Sequence, residues 1–258
     1  MSVRIAVAGA SGRMGRVIVD VIDAESNTVL AGAWEHAQSP ALGSTVGNPP
    51  IEIMNGPEPL VGDIDAVIDF TTPQATLEHA AWCAQNGIPI IIGTTGLNDA
   101  DHALLDTYAR SIPLVQAPNM SIGVNVMLAV AKEAARMLGS RYDLELVETH
   151  HKHKVDAPSG TALRLLDALR SVRTEATGNF VRHGTIGARD PNEIGVQTLR
   201  GGDVVGEHTV FYFGDAERLE ITHRATDRKI FAQGAVRAAL WASAQQPGRY
   251  AMNDVLSS

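Results

Sequence analysis

Apolar and polar positions in the first half of the chain alternate between short β-branched runs and longer helical stretches. Val3 to Ala8, "VRIAVA", is a brief apolar run that stops at Gly9. After "GASGRMG", Val17, Ile18, Val21 and Ile22 recur at helical spacing, and a second apolar run, "NTVLAGAWE", ends at Glu35. A strand, a glycine turn, a helix and a second strand predict a βαβ unit. Three later runs over 65–73, 88–96 and 112–120 are each an apolar strand followed by small or polar residues, with helical stretches "QATLEHAAWCAQNG" and "DADHALLDTYARS" between them. This rhythm predicts an open, doubly wound parallel sheet of the Rossmann type.

From residue 121 the pattern changes. Val124, Met127, Leu128, Ala131, Ala134 and Ala135 form one apolar helical face that ends near Arg136 and Gly139. A strand over 142–149 sets Asp143 and Glu145 outward and Leu144 and Leu146 inward, and delivers His150 and His151 at its end. A helix is expected from Ser159, with Leu163, Leu166 and Leu169 repeating every three positions. Residues 184–225 read as successive short strands joined by glycine and acidic turns, with "GGDVVGEH" as a hairpin feature and no direct catalytic role for Asp203 or His208. A helix rich in small residues closes the pattern over 230–246. The fold class expected is therefore α/β: a Rossmann-type doubly wound parallel sheet plus a second α+β domain with a mixed or antiparallel sheet.

Composition narrows the function classes. The 258 residues are 45% hydrophobic and 19% charged, as in ordinary globular proteins. A formal net charge of -8 argues against a general nucleic-acid binder, because no broad basic field exists to collect phosphates. The single cysteine, Cys83, cannot form an intramolecular disulfide, which fits a reducing compartment, and its helical neighbours mark it as a core residue. The amino-terminal stretch turns to glycine too early for a signal peptide, and no run of about 18 uncharged apolar residues offers a membrane span. A soluble, cytoplasmic protein is expected, with no membrane partner.

Gly9, Gly12 and Gly15 give the first turn the form G-x-x-G-x-x-G, which suits a tight reversal, close approach to a pyrophosphate and close helix–strand packing. Any strand-to-helix turn can use glycine, so the carboxylate of Glu35, twenty positions after Gly15, is the added sign of a nicotinamide dinucleotide: it can accept both adenosine ribose hydroxyls. That carboxylate repels a 2′-phosphate, whereas His36 can donate to one. NADH is expected to be preferred and NADPH tolerated. Gly93 to Thr95 and Ala117 to Met120 follow strands whose carboxyl ends face the ligand crevice, although each loop alone also reads as a plain turn.

The stretch "ETHHKHKVDAPSGTA" over 148–162 admits three readings: a metal site, a solvated basic run, or a grip on an anion. His150 and His151 are adjacent on a strand and point to opposite faces, and no acidic third ligand is read at close spacing, so no metal is expected. Ser159 is a natural N-cap, but Ala162 replaces the acid of a capping box, and the first turn carries no carboxylate. The amides from Gly160 and Thr161 onward are then suited to an outside anion, with Lys154 and the histidines just before them.

Seven segments, "VAGASGRMGR", "DFTTP", "IGTTG", "APNMSIGVNVM", "HHKHKVDAPSGTA", "GGDVVGEHTV" and "ERLEITHRA", are spread along the chain, and with them it resembles, over essentially its whole length, the 4-hydroxy-tetrahydrodipicolinate reductase (dihydrodipicolinate reductase) family. The resemblance implies hydride transfer from NADH or NADPH to 4-hydroxy-tetrahydrodipicolinate, with loss of water, to give tetrahydrodipicolinate in the diaminopimelate route to lysine. It implies His150 as general acid/base with Lys154 as partner acid, and His151, Gly160 and Thr161 as contacts to a dicarboxylate substrate. Gly9, Ala10, Ser11, Gly12, Arg13, Met14, Glu35, His36, Gly93, Thr94, Thr95, Ala117, Pro118, Asn119 and Met120 correspond to dinucleotide contacts. It also implies a homotetramer, and a return of residues 231–258 to a dinucleotide-binding domain made with 1–121, leaving 122–230 for substrate and subunit contacts. Two positions depart from the family pattern: His36 stands where some relatives carry arginine, and Met120 where an aromatic is common. Rival classes are a non-catalytic dinucleotide sensor, which leaves the His-Lys run without a task, and a semialdehyde dehydrogenase, which needs a nucleophilic cysteine.

Overall fold

A computed structural model describes residues 2–257, which fold as two compact units: one runs to Ile122 and resumes at Arg228, and the other is Gly123–Asp227. The first unit begins with β1 (Val3–Ala8), α1 (Arg13–Ala24) and β2 (Thr28–Glu35). The short strands β3 (Thr45–Val46), β4 (Ile51–Glu52) and β5 (Met54–Asn55) follow, then β6 (Ala66–Asp69), α2 (Pro73–Asn86), β7 (Ile90–Ile92), α3 (Asp99–Tyr108) and β8 (Pro113–Gln116). The second unit contains α4 (Ile122–Leu138), β9 (Asp143–His150), α5 (Gly160–Arg170), β10 (Thr177–Asn179), β11 (Glu193–Arg200), β12 (Gly206–Phe213) and β13 (Arg218–Ala225). The chain then returns to the first unit as α6 (Lys229–Ala242), β14 (Gly248–Tyr250) and α7 (Met252–Leu256).

Seven strands form the parallel sheet of the first unit in the order β14-β8-β7-β6-β1-β2-β5. Alternation along β1 divides its core in two. Ile5 and Val7 pack with Ile18, Val21 and Ile22 of α1 and the alanines of α6, while Ala6 and Ala8 face Ala80 and Cys83 of α2 and Leu105 of α3. Each such large side chain withdrawn from water contributes about 1.5–3 kcal/mol. The chain runs from β1 outward to β2 and β5, then crosses back to β6, so the strand order reverses beside β1, where ligands of such sheets bind. Helix α6 seats closely because Gly234 has no side chain: a Cβ there would stand 1.8 Å from the carbonyl oxygen of Met120.

The second unit is a mixed five-stranded sheet in the order β10-β11-β9-β12-β13, parallel from β10 to β9 and antiparallel beyond. Leu144, Leu146, Val196, Val210 and Tyr212 on one face pack against α4 and α5, and the buried Tyr212 hydroxyl donates to the Ala131 carbonyl of α4 at 2.7 Å. Three expectations need correction here. The stripe of α5 is Ala162, Leu165, Leu166 and Leu169, while Leu163 is exposed, because a three-residue repeat drifts off one face of a 3.6-residue helix. In α4, Ala134 is only partly buried and Asn125 joins the covered face. The "GGDVVGEH" stretch is not a hairpin, since β9 lies between β11 and β12 and the loop crosses the end of β9 instead.

Candidate active site

The turn after β1 fits a dinucleotide. Gly9 has φ +68°, and a Cβ at Gly15 would stand 2.1 Å from the Gly9 oxygen, so helix α1 can pack against the turn only as glycine there. Gly12 caps α1 with no side-chain hydrogen bond, and the first turn carries no acid. Glu35 at the end of β2 accepts from both the backbone N–H and the hydroxyl of Ser11, at 3.0 and 2.6 Å through one oxygen. The same carboxylate expected at a ribose therefore also tethers the glycine turn. A cleft of about 850 Å³ opens here, lined by Gly9, Gly12, Glu35 and His36 and, beyond the expected set, by Trp34, Glu58, Phe70, Thr71, Glu78 and His79.

Other expected cofactor positions range from exposed to buried. Arg13 is exposed, Ala10 is in the core and Met14 packs partly buried against it. Gly93 is glycine because a Cβ would meet the Phe70 ring at 2.2 Å. Thr95 is exposed, whereas Thr94 is buried and accepts from the Thr76 hydroxyl at 2.8 Å. Pro118 is exposed and the Asn119 side chain accepts from Ser121 N–H at 2.9 Å, while Ala117 and Met120 are buried in the core. The Met120 side chain thus packs inside the first unit.

Behind these loops stands a residue the sequence pattern did not single out. Asp69, the last residue of β6, is fully buried and accepts from Thr71 N–H and hydroxyl at 2.8 and 2.7 Å and from the Thr94 hydroxyl at 3.3 Å. Its second oxygen lies 2.7 Å from His79 Nδ1, and His79 Nε2 accepts from the Trp34 indole at 3.0 Å. A buried carboxylate followed by threonines is the available sequence signal.

In the second unit the basic bend leaves the end of β9. His150 Nδ1 stands 2.5 Å from Glu148 Oε2. This corrects the expectation that no acid is close by: Glu148 is two positions earlier on the same strand face and fully buried. It is nonetheless engaged as a hydrogen-bond acceptor, and among the described residues no group of three or more His, Cys, Asp or Glu is arranged to hold a metal ion. Burial alone would raise Glu148, but Arg200, His150 and the Ser159 amide outweigh it and hold the carboxyl below its usual value. Burial lowers His150; Glu148 draws it partly back, and Lys154 and Arg200 press it down further.

The remaining bend residues are arranged around this pair. Lys154 Nζ lies 2.8 Å from Asp156, so its neighbourhood is not purely cationic. His151 N–H donates to the Val204 carbonyl at 2.7 Å, and its buried Nδ1 meets no hydrogen-bond partner among the described residues. Ser159 caps α5 by accepting from Ala162 N–H at 3.2 Å, and its hydroxyl stands 3.0 Å from His208 Nε2. Gly160 is exposed and Thr161 half-buried at the helix start, next to no acidic side chain of that turn. His208, set aside by sequence reasoning, meets His150 edge-on with ring centroids 5.2 Å apart, and burial pushes it down to about 4. Strand register is the missing signal, since His208 is the direct partner of Glu148 across β12 and β9.

Known proteins match this arrangement along nearly the whole chain. A family model described as "Dihydrodipicolinate reductase, N-terminus" matches residues 3–120, and one described as "Dihydrodipicolinate reductase, C-terminus" matches 123–256. The chain belongs to the dihydrodipicolinate reductase family. The 4-hydroxy-tetrahydrodipicolinate reductase of Anaeromyxobacter dehalogenans (strain 2CP-1) is 48% identical over 268 residues, covering 98% of this chain and 97% of that protein. The one from Thiobacillus denitrificans is 43% identical, covering 99% of both. A dipicolinate-bound dihydrodipicolinate reductase from Paenisporosarcina sp. TG-14 is similar in structure, with a TM-score of 0.78, 26% identity, and coverage of 98% of this chain and 99% of that one. As a dihydrodipicolinate reductase family member, the protein is an NAD(P)H-dependent oxidoreductase. The semialdehyde-dehydrogenase alternative lacks its nucleophile: Cys83 is fully buried, and burial together with Asp69 pushes its thiol well above the usual range. Among the described residues no helix is long and apolar enough to cross a membrane.

Proposed function

We propose that His150 supplies the proton as the protein reduces 4-hydroxy-tetrahydrodipicolinate to tetrahydrodipicolinate with loss of water, the reaction of its family in lysine biosynthesis. The observation that carries this reading is the bend itself, where a histidine fixed by a buried carboxylate, a lysine and an acid-free helix start follow one another within residues 150–161. NAD(P)H bound by the first unit supplies the hydride. In the second unit His150 gives a proton to the substrate ring, and Lys154 acts as second acid. His151 and the amides of Gly160 and Thr161, with the Thr161 hydroxyl, hold the two carboxylates, which need oriented N–H donors and local positive charge. The atoms balance: one hydride, one proton and the hydroxylated ring give the reduced ring and water.

The glycine turn with its dinucleotide contacts from Gly9 to Met14 and Glu35, His36, Gly93 to Thr95 and Ala117 to Met120 serves the cofactor in this reading. NADH is preferred, because Glu58 and Glu78 line the same cleft as Glu35, and among the described residues its lining has no lysine or arginine, only His36 and His79, the latter taken up by Asp69 and the Trp34 indole. NADPH is tolerated through His36. Phe211 and Phe213 stack on the sheet face opposite α4 and α5, and Leu199 is 54% exposed, which supports burial of that face in a homotetramer. The buried lone cysteine supports a cytoplasmic setting.

The experiment couples the protein to a synthase that makes the unstable substrate from pyruvate and aspartate semialdehyde, following NADH and NADPH oxidation separately. His150→Ala and Lys154→Ala are expected to lower turnover by about 10²-fold or more while NADH binding stays nearly intact. Near-normal turnover in both variants refutes the assignment, and a tenfold preference for NADPH refutes the cofactor reading.

A further inference from the structure

We propose that the buried Glu148 and its half-buried partner Arg200 form a positioning pair that fixes His150 as its Nδ1–H tautomer and sets the pH at which its Nε2 exchanges a proton. The inference rests on the reading of His150 as the proton donor. Strand register brings the groups together: Thr198 is opposite Glu148 and Arg200 opposite His150 across β11 and β9, with His208 opposite Glu148 on the other side.

Glu148 is 0% exposed and fully occupied. Its Oε1 accepts from Ser159 N–H at 3.1 Å, the Thr198 hydroxyl at 3.1 Å and Arg200 Nη2 at 2.9 Å. Its Oε2 accepts from Arg200 Nη1 at 2.9 Å and His150 Nδ1 at 2.5 Å. An ionised carboxylate only accepts, so Nδ1 must carry a proton and the ring can exchange only at Nε2. That atom faces Gly206, whose added Cβ would stand 2.9 Å from it.

Arg200 has a separate effect. A carboxylate alone beside a histidine stabilises the imidazolium, but Arg200 shares both oxygens of Glu148 and offsets part of that charge. The other groups facing His150 are Lys154 from the bend, itself paired with Asp156, and the His208 ring from β12, behind which His223 stands on β13. With Arg200 offsetting part of the Glu148 charge, His150 keeps access to both of its states.

Both variants are tested on the full chain with ¹⁵N- and ¹³C-labelled histidine, titrating the His150 ring by NMR and recording the pH profile of kcat/KM. In Glu148→Gln the amide oxygen keeps the Oε1 side, where three donors converge, so the amide NH₂ faces Nδ1. The proton is expected to move to Nε2, the apparent titration to fall by about one pH unit, and turnover to drop by roughly 10²-fold or more, as when a histidine is held in the wrong tautomer. In Arg200→Met the titration is expected to rise by about one pH unit, the opposite direction. A generally loosened site would not give opposite signs. An Nδ1–H that persists in Glu148→Gln, or titrations that move the same way or not at all, overturn the proposal. If Glu148→Gln fails to fold, Arg200→Met decides alone, and no rise overturns it. If both titrations move as expected while His150→Ala keeps its turnover, the proton-donor reading falls and the positioning pair stands.

Discussion

Replacing Gly206 by alanine adds one methyl group at the place where His150 has least room. The new Cβ would stand 2.9 Å from His150 Nε2 and 3.2 Å from Cδ2, whereas ordinary contact between carbon and a ring atom needs about 3.5 Å or more. Backbone strain is not at issue, because Gly206 is outside the set of positive-φ glycines. His150 must therefore yield by roughly half an ångström, or β12 must move off β9. The second route is resisted by the antiparallel ladder from Glu207 to Phe213. The first stretches the 2.5 Å contact to Glu148, a charge-assisted bond contributing about 1.5–3 kcal/mol. A shift of that size at a reacting group is expected to cost about 10- to 10²-fold in kcat/KM. Overpacking of about 1–3 kcal/mol lowers the melting temperature at the same time.

The assay is the coupled reduction, with NADH affinity and thermal melting measured on the same preparation. NADH affinity is a property of the first unit and is expected to stay put. Gly201→Ala is the control, since its added Cβ meets nothing within 4 Å, and it is expected to keep parental turnover. Gly206→Ala within about twofold of the parent in kcat/KM would refute the placement of His150 Nε2 as the exchanging atom.

Two further outcomes follow from other parts of the molecule. His208 is held down to about 4 by burial against an ordinary value of 6.5, so its neutral form gives stability that is complete above pH 6.5 and is lost as pH falls from 6.5 towards 4, about 3 kcal/mol in all. Melting curves of His208→Gln are expected to fall less steeply over that window than those of the parent, and parallel curves would refute the buried neutral state. In the first unit, Gly93→Ala would drive a Cβ to 2.2 Å from the Phe70 ring, which lines the dinucleotide cleft. NADH affinity by titration calorimetry is expected to weaken at least about tenfold, with dipicolinate affinity unchanged; an unchanged NADH affinity would separate Phe70 from the cofactor.

The nucleotide-binding half was legible because its signals are local. Val17, Ile18, Val21 and Ile22 mark α1 by period, Gly15 is required by its contact with Gly9 within one turn, and Gly9 by its own φ of +68°. The basic bend was legible for the same reason. Glu148 was not, although it continues the very alternation that set Leu144 and Leu146 inward. A carboxylate in that row is credible only when its partners are known, and Thr198 and Arg200 come from a strand about fifty positions away whose pairing no local pattern specifies. The insertion of β9 between β11 and β12 is hidden for the same reason, and β3, β4, β5, β10 and β14, at two or three residues each, carry too little period to read.

That long-range register also explains why the bend keeps its geometry. Ser159 does three things at once: its N–H donates to Glu148, its hydroxyl caps Ala162 N–H, and the same hydroxyl meets His208. The helix start that suits a carboxylate and the histidine that suits a proton are therefore tied to one buried acid. A network of this kind is costly when half satisfied, because each buried orphan costs about 1–3 kcal/mol. Loss of any single member withdraws a hydrogen bond from at least one other, so substitutions at Glu148, Ser159, Arg200 and His208 should combine far from additively. The sheet thus gives the proposed anion site and the proposed proton donor a common frame, and neither can drift by a few tenths of an ångström without disturbing the other.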